Sequence, residues 1–405
     1  MYYEVGPEAA WPNARAVWNI AQRFQEIRPD VKLEFIHVPF EEFLPTIMRW
    51  AMVGALPDII AFDNPDVCHA AAGGVLKDIT FLVEEWDAWK DFFIGAQQAV
   101  SYEEKIWAIP FGTNNLALIY NKHYFDQFGL TPPKTWVELL DLCERLAELL
   151  KGTKTYPFGF TAGDSESLTW QFLPFLWSNG GSLLELNKPE AIAAVTFWVT
   201  LVQRGFAPRD VLTWTSQWID PLVGEQVVMM VNGPWILPAL KAQGFEYGIA
   251  PLPVPYEGAP LIVPMGGETI GLSANIDPNK VISAWEFIQF LVAPENMASF
   301  SITAGYVPVR ASAIPLVIQQ DPELEVFATQ AVRSLPRTPM GGGELYSEVS
   351  AITRRYIQLA LSGVLSAEEA FVQAHAEIQS LFSTTEAYQQ AVEHARTLLG
   401  EVRAK

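Results

Sequence analysis

Three acidic side chains stand in segments where a carboxylate could take part in chemistry. Asp63 follows the short apolar run Pro57–Phe62, Glu8 lies near the N-terminus, and Glu268 lies in a glycine-rich stretch. A pair of such carboxylates could hydrolyse a glycosidic bond, accept hydrogen bonds from hydroxyl groups, or hold a cationic ligand. Any acidic protein offers such pairs, so these residues alone leave both catalysis and binding open.

Aromatic residues are abundant, with 14 tryptophans, 12 tyrosines and 24 phenylalanines. A sugar presents hydroxyls around its rim and apolar C–H faces above and below, so its site combines flat rings with carboxylates and amides. Trp235 is well placed for this, because Asn232-Gly233-Pro234 links it to the apolar strand predicted at Val227–Val231. Many other aromatics belong to the core, so their number only favours a carbohydrate ligand.

The chain lacks the motifs that carry much of nucleophilic, metal and phosphate chemistry. G-x-S-x-G, H-E-x-x-H, Walker A and G-x-G-x-x-G are all absent from the sequence. The five histidines are scattered, and the two cysteines form no C-x-x-C pair. We therefore expect no catalytic residue, no metal ion and no cofactor.

The charge balance excludes whole classes of partner. The 405 residues include 46 acidic and 26 basic side chains, for a net charge of −20. Such a surface repels phosphate backbones and anionic lipids, so no nucleic-acid partner is expected. The length predicts two or three domains, and no run of about 18 uninterrupted apolar residues occurs. We expect a globular monomer.

Strands and helices alternate along the chain, which predicts an α/β fold with parallel sheets. Val31, Leu33 and Phe35 alternate with charged residues, as in a half-buried strand. Because ligands meet the carboxyl ends of strands in such sheets, Asp63 is favourably placed. Apolar residues recur at helical spacing in several segments, namely Trp11–Arg28, Phe40–Val53, Thr135–Leu150 and stretches beginning at Asp277 and Ser366.

Pro110–Trp136 contains a polar step, an apolar strand, Asn-Lys and Pro-Pro-Lys-Thr-Trp, in that order. Further motifs lie at Leu56–Ile60, Ala70–Leu76, Trp170–Leu173, Met229–Trp235, Pro264–Ser273 and Gly305–Arg310. The order of these motifs resembles the extracellular solute-binding proteins of bacterial ABC importers, family 1, the sugar-binding group that includes maltose-binding protein. In that resemblance, Pro110–Trp136 corresponds to the family's first interdomain crossing.

This resemblance implies two discontinuous α/β lobes of the type II periplasmic-binding-protein kind, joined by a multi-segment hinge, with the ligand cleft between them. Lobe 1 would comprise residues 1–111 and 266–309, and lobe 2 would comprise 115–263 and 310–405. The hinge crossings would lie at 112–114, 264–265 and about 309–310. The lobes would close over the ligand by hinge bending.

The resemblance also implies a set of cleft residues. Asn114 occupies the step where relatives have a carboxylate or amide, and Trp170 and Trp235 match sugar-stacking positions. Trp177 could instead pack in the core. Glu268 departs from the family's pattern, since many relatives have an aromatic or small residue near this point, and it could bind a hydroxyl or a cationic ligand or simply face solvent. The full expected binding set is Glu8, Asp63, Asn114, Trp170, Trp177, Trp235, Gly267, Glu268 and Tyr346.

These inferences predict a non-enzymatic extracytoplasmic receptor, periplasmic or a cell-surface lipoprotein, that delivers a neutral sugar or oligosaccharide to the transmembrane subunits of an ABC permease. Met1–Glu4 has neither a basic nor an apolar region, so it does not form a secretion signal, and the resemblance implies that such a signal precedes this chain. A glycoside hydrolase stays open, as does a receptor for a polyol phosphate, a polyamine or a metal on the same fold. Arg354 and Arg355 are expected in ion pairs, which makes an anionic ligand the lesser alternative.

Overall fold

The chain forms two compact α/β units. The computed structural model describes residues 1, 4–9, 11–215 and 219–404. Unit 1 comprises Met1–Asn114 and Met265–Val332, and unit 2 comprises Asn115–Pro264 and Arg333–Lys405. The chain thus passes between the units three times, and the prediction of a two-lobe, discontinuous α/β fold is confirmed.

The strands are short, and most lie next to a helix in the chain. In chain order they are β1 (Ile59–Asp63), β2 (Ser101–Tyr102), β3 (Lys105–Ile106), β4 (Ile109–Asn114), β5 (Ala117–Asn121), β6 (Tyr156–Gly159), β7 (Val227–Asn232), β8 (Tyr247–Ala250), β9 (Pro264–Leu272) and β10 (Leu335–Pro336).

Helices make up most of the remaining regular structure. In chain order they are α1 (Pro12–Ile27), α2 (Phe40–Met52), α3 (Asp66–Ala72), α4 (Thr80–Glu84), α5 (Ile94–Ala99), α6 (Lys122–Phe128), α7 (Trp136–Leu149), α8 (Glu166–Ser178), α9 (Pro189–Gln203), α10 (Asp220–Val223), α11 (Leu237–Ala242), α12 (Val281–Leu291), α13 (Pro294–Ala304), α14 (Ile314–Gln320), α15 (Glu325–Ala331), α16 (Arg337–Met340), α17 (Tyr346–Ser362), α18 (Ala367–Leu381) and α19 (Thr385–Arg403).

Local signals located several helices well. The Ser366 hydroxyl and the Glu369 carboxylate form a full capping box at the start of α18. Thr135 accepts from the Glu138 amide at α7, but the Glu138 carboxylate accepts instead from the amide of Lys134. The helix expected from Asp277 begins only at α12, because residues 278–280 form a turn first.

The strand expected over residues 31–35 is not assigned. Apolar alternation marks a half-buried strand but does not supply a neighbouring strand, and pairing needs both. In the described part of this segment, backbone hydrogen bonds to Met1 are made by Ile36 and Val38. Residues 31–39 therefore carry no strand assignment within the described chain.

The sheet of unit 1 is organised around β9. Strands β1 and β4 flank it, and both pairings are antiparallel. In unit 2 the order is β6-β7-β5-β8, in which β5 is antiparallel to both neighbours and β6 is parallel to β7. The expectation of parallel sheets is therefore wrong for most pairings. β5 follows the first crossing and β9 begins at the second, so neither is joined directly by a strand–helix–strand connection to the antiparallel strands described above.

The third crossing also differs from the expected position at about 309–310. Residues 310–332 belong to unit 1, where α14 packs on α13 and Arg310 bonds to Asp91 at 2.9 Å. The Arg310 guanidinium also lies over the ring of Phe92. These contacts hold the segment on unit 1, so the chain crosses after Val332 instead.

Candidate functional site

Polar side chains meet at one end of the unit 1 sheet. Asp63 ends β1 and pairs in register with Glu268 of β9, so the two side chains project from the same face. Asn114 ends β4 and pairs with Gly266 on the other side of β9. Asp63 and Asn114 are half-buried. This end of the sheet therefore brings together residues that lie far apart in the sequence.

Tyr306 joins these groups into one network. Its hydroxyl donates to Glu268 Oε1 at 3.0 Å and also hydrogen-bonds with the side chain of Asn114. Burial, followed by the charges of Glu268 and Asp63, raises the pKa of Tyr306 well above 10, so the phenol stays protonated and donates at neutral pH. Glu268 is completely buried, which overturns the alternative that it faces solvent.

Sequence reasoning missed Tyr306 as a functional candidate. It appeared only inside the motif Gly305–Arg310, next to the glycine that ends α13 in the left-handed conformation. A buried tyrosine looks the same in sequence whether or not its hydroxyl meets a carboxylate. No local signal distinguishes the two cases, because Glu268 lies 38 residues away.

Gly267 has a packing reason for being glycine. Its φ of +125° is a conformation that side chains disfavour, and an added Cβ would lie 2.1 Å from the carbonyl oxygen of Gly112. Its own carbonyl accepts from the Asn64 amide at 3.0 Å. Because Gly267 has no side chain, strand β4 can pack closely against it. The sequence had suggested instead that this glycine lets the backbone approach a ligand.

A second network in unit 2 contains Trp170 and Tyr346. The Arg337 guanidinium lies over the Trp170 ring, 4.6 Å from its centroid, and donates to the Glu166 carboxylate at 2.7 Å. The Tyr346 hydroxyl donates to the same carboxylate. Two of the expected binding residues are therefore held together by Glu166 and Arg337, which the sequence had not nominated.

Trp177 is a core residue, which corrects its place in the expected binding set. Its side chain is completely buried in the apolar core of unit 2. Trp170 and Trp177 both lie on α8, and this helix is buried over almost its whole length. Both side chains are therefore surrounded by protein. A ligand could reach the Trp177 ring only by displacing that core.

Trp235 and Glu8 lie outside both networks. Trp235 is half-buried in a short 3-10 turn after β7, with its ring directly against the backbone of Gly233. Glu8 is exposed in a turn.

The chemistry available in these networks is hydrogen bonding and ring stacking. The unit 1 network offers two carboxylates, a phenol and an amide, and the unit 2 network offers an indole and a phenol beside paired charges. No group of three metal-ligating side chains is found among the described residues. In the same ranges, no helix combines the length and apolarity needed to cross a bilayer.

Two α/β units with polar groups at a sheet end and an aromatic-rich partner unit define the class of two-lobe periplasmic binding proteins. The chain belongs to the family described as bacterial extracellular solute-binding protein, whose profile matches residues 19–326. The prediction of an extracellular solute-binding protein is thereby confirmed.

Curated relatives bind more than one kind of ligand by name. The chain is 26% identical over 346 residues to a maltotriose-binding protein of Pyrococcus abyssi, covering 82% of this chain and 72% of the relative. It is 24% identical over 355 residues to the sn-glycerol-3-phosphate-binding periplasmic protein UgpB of Salmonella typhimurium, covering 81% and 80%.

Solved structures show the same fold. Maltose-bound MalE3 of T. maritima matches with a TM-score of 0.80 at 24% identity, over 92% of this chain and 98% of that one. UgpB of Mycobacterium tuberculosis in complex with glycerophosphocholine matches with a TM-score of 0.79 at 22% identity, over 91% and 96%. The fold is therefore shared by receptors for sugars and for a phosphodiester.

Proposed function

We propose that this protein is the substrate-binding component of an ABC importer and that its ligand is a neutral sugar or oligosaccharide. It acts outside the cytoplasm, catalyses no reaction, and delivers the ligand to the transmembrane permease subunits after hinge closure. The maltotriose-binding relative supports the ligand class, and membership of the extracellular family supports the location.

The observation that carries this proposal is the composition of the unit 1 network. Asp63 and Glu268 pair in register, and Tyr306 and Asn114 adjoin them. Carboxylates and amides accept and donate hydrogen bonds to hydroxyl groups, whereas two carboxylates repel a phosphate. A neutral polyhydroxylated ligand fits this set better than an anion does.

A polyol phosphate is the rival ligand, because UgpB is similar over most of the chain. The arginines beside Trp170 would be its natural partners. However, Arg337 is paired with Glu166 at 2.7 Å, and Arg354 is paired with Asp164 at 3.1 Å. With these charges neutralised inside unit 2, a phosphate gains little from them.

A thermal-shift screen tests the proposal. At equal concentration, neutral oligosaccharides that bind more tightly should raise the Tm more, while glycerol 3-phosphate, spermidine and divalent metals should leave it unchanged. Incubation of the protein with the same oligosaccharides should release no product. Product release would instead support a hydrolase that uses Asp63 and Glu268, and a shift by glycerol 3-phosphate alone would support the rival ligand.

A further inference from the structure

Glu166 is surrounded by groups that usually bind an anion. Its two carboxylate oxygens accept from Arg337, Tyr346, Ser350 and Arg354, which together with Glu166 we call the Glu166 cluster. Two guanidinium groups and two hydroxyls converging on one point form a donor set that suits a phosphate as well as a carboxylate.

The donors of the cluster are mostly withdrawn from water. Arg337 and Tyr346 are 3% and 4% exposed, and Ser350 is fully buried. Ser350 donates to Glu166 Oε2 at 2.6 Å, while its own oxygen lies 2.9 Å from Arg354 Nη1 and 2.7 Å from the Thr169 hydroxyl. These bonds fix the donors in position, so the arrangement does not depend on a flexible surface side chain.

Glu166 is the most accessible member of the cluster. Its side chain is 37% exposed, against 4% for the Arg337 side chain beneath it. It begins α8, a helix of 13 residues, where the first-turn amides also favour negative charge. Its carboxylate therefore lies where an anion entering from solvent would meet the buried donors.

We infer that Glu166 is a specificity-determining residue, an internal carboxylate that occupies an anion site beside Trp170 and thereby excludes phosphate-bearing ligands. Arg337 forms an ion pair with Glu166, and Arg354 forms ion pairs with both Asp164 and Glu166. When Glu166 is removed, the buried Arg337 loses a carboxylate partner. An oxyanion of similar size can then take the place of the Glu166 carboxylate. This inference rests on the proposed function, because it explains why a neutral ligand is selected.

The same unit contains a matched control. Glu377 accepts from Arg355 and Tyr356, and the Arg355 guanidinium lies over the Tyr356 ring at 5.0 Å. This group repeats the carboxylate, arginine and aromatic ring of the Glu166 cluster. The Arg355 side chain, however, is 54% exposed. Removing Glu377 releases a hydrated arginine, which gains little from an anion.

The test is calorimetric titration and thermal shift of the full chain with inorganic phosphate, using chloride at equal ionic strength as the reference. Glu166→Ala should bind phosphate at least about tenfold more tightly than the wild-type protein and gain Tm with it. Glu377→Ala should behave as the wild type, and Glu166→Ala combined with Arg337→Met should lose the response. Equal phosphate binding by Glu166→Ala and wild type would overturn the inference.

Two further readouts keep the result unambiguous. If Glu166→Ala yields no folded protein in either buffer, Glu166→Gln takes its place, and a Glu166→Gln protein without a phosphate response overturns the inference. Sugar binding by the wild-type protein is measured in parallel. Its absence would contradict the proposed function, whereas a missing phosphate response in the variants contradicts only the role of Glu166.

Discussion

The hydroxyl of Tyr306 donates a 3.0 Å hydrogen bond to Oε1 of Glu268, a carboxyl group with no exposure to solvent. Burying such a group is costly unless hydrogen bonds compensate for lost water. Tyr306 thus stabilises Glu268 beside Asp63 at the end of the unit 1 sheet. The candidate binding groups of unit 1 consequently depend on Tyr306, which lies 38 residues after Glu268 in the sequence.

Tyr306→Phe should weaken both folding and sugar binding. The ring would still pack on Phe300, but Glu268 would lose one of its hydrogen-bond donors, which costs about 1–3 kcal/mol of unfolding free energy. Urea denaturation and calorimetry measure the two effects. Tyr356→Phe removes a hydroxyl from a partly exposed bond to Glu377 and should cost less than about 0.5 kcal/mol. Equal losses in the two variants would contradict this role.

Alkaline pH should destabilise the wild-type protein through Tyr306. Its pKa is raised well above the ordinary value of 10.0, so the folded state holds the proton more tightly than the unfolded state. The resulting stability is complete below pH 10 and is lost as the pH rises toward the raised value. The unfolding free energy of wild type should therefore fall more steeply above pH 10 than that of Tyr306→Phe. Parallel curves would show that Tyr306 does not titrate in this way.

Trp170 and Trp177 should separate binding from stability. Trp177→Ala leaves a cavity in the core of unit 2 and should lower the unfolding free energy by about 3–5 kcal/mol. Trp170 is also buried, but Trp170→Phe keeps an aromatic face for Arg337, so it should cost less stability than Trp177→Ala while reducing sugar affinity. Denaturation and calorimetry on both variants provide the comparison. A Trp177→Ala protein of normal stability would contradict the core assignment.

Gly267→Ala should destabilise unit 1 by more than backbone strain alone. The new Cβ would lie 2.1 Å from the Gly112 oxygen, so strands β4 and β9 would have to separate. Gly74→Ala is the control, since its φ is also positive, at +67°, but nothing lies within 4 Å of the added Cβ. The control should cost about 1–2 kcal/mol. A Gly267→Ala protein no less stable than the control would refute the close approach.

Local signals explain how much of the fold could be predicted. The capping residues Ser366 and Glu369 lie three positions apart, so α18 could be located from the sequence. The two-lobe fold could be predicted from the order of the family's motifs. Strand direction could not be predicted, because the pairing of β1 with β9 joins residues more than 200 positions apart.

The candidate site was less predictable than the fold. Asp63 and Glu268 could be nominated as carboxylates, but neither the burial of Glu268 nor its bond to Tyr306 has a local sequence signal. Arg337 lies 171 residues from Glu166, so their pairing was equally hidden. The α8 helix is buried almost all round, so it has no apolar stripe that separates Trp170 from Trp177.

Calorimetric titration of the wild-type protein with neutral oligosaccharides and with glycerol 3-phosphate tests the central claim most directly. We predict saturable binding of a neutral oligosaccharide at one ligand per chain, no heat from glycerol 3-phosphate, and no conversion of the sugar. Binding of glycerol 3-phosphate in the absence of any sugar binding would contradict the claim.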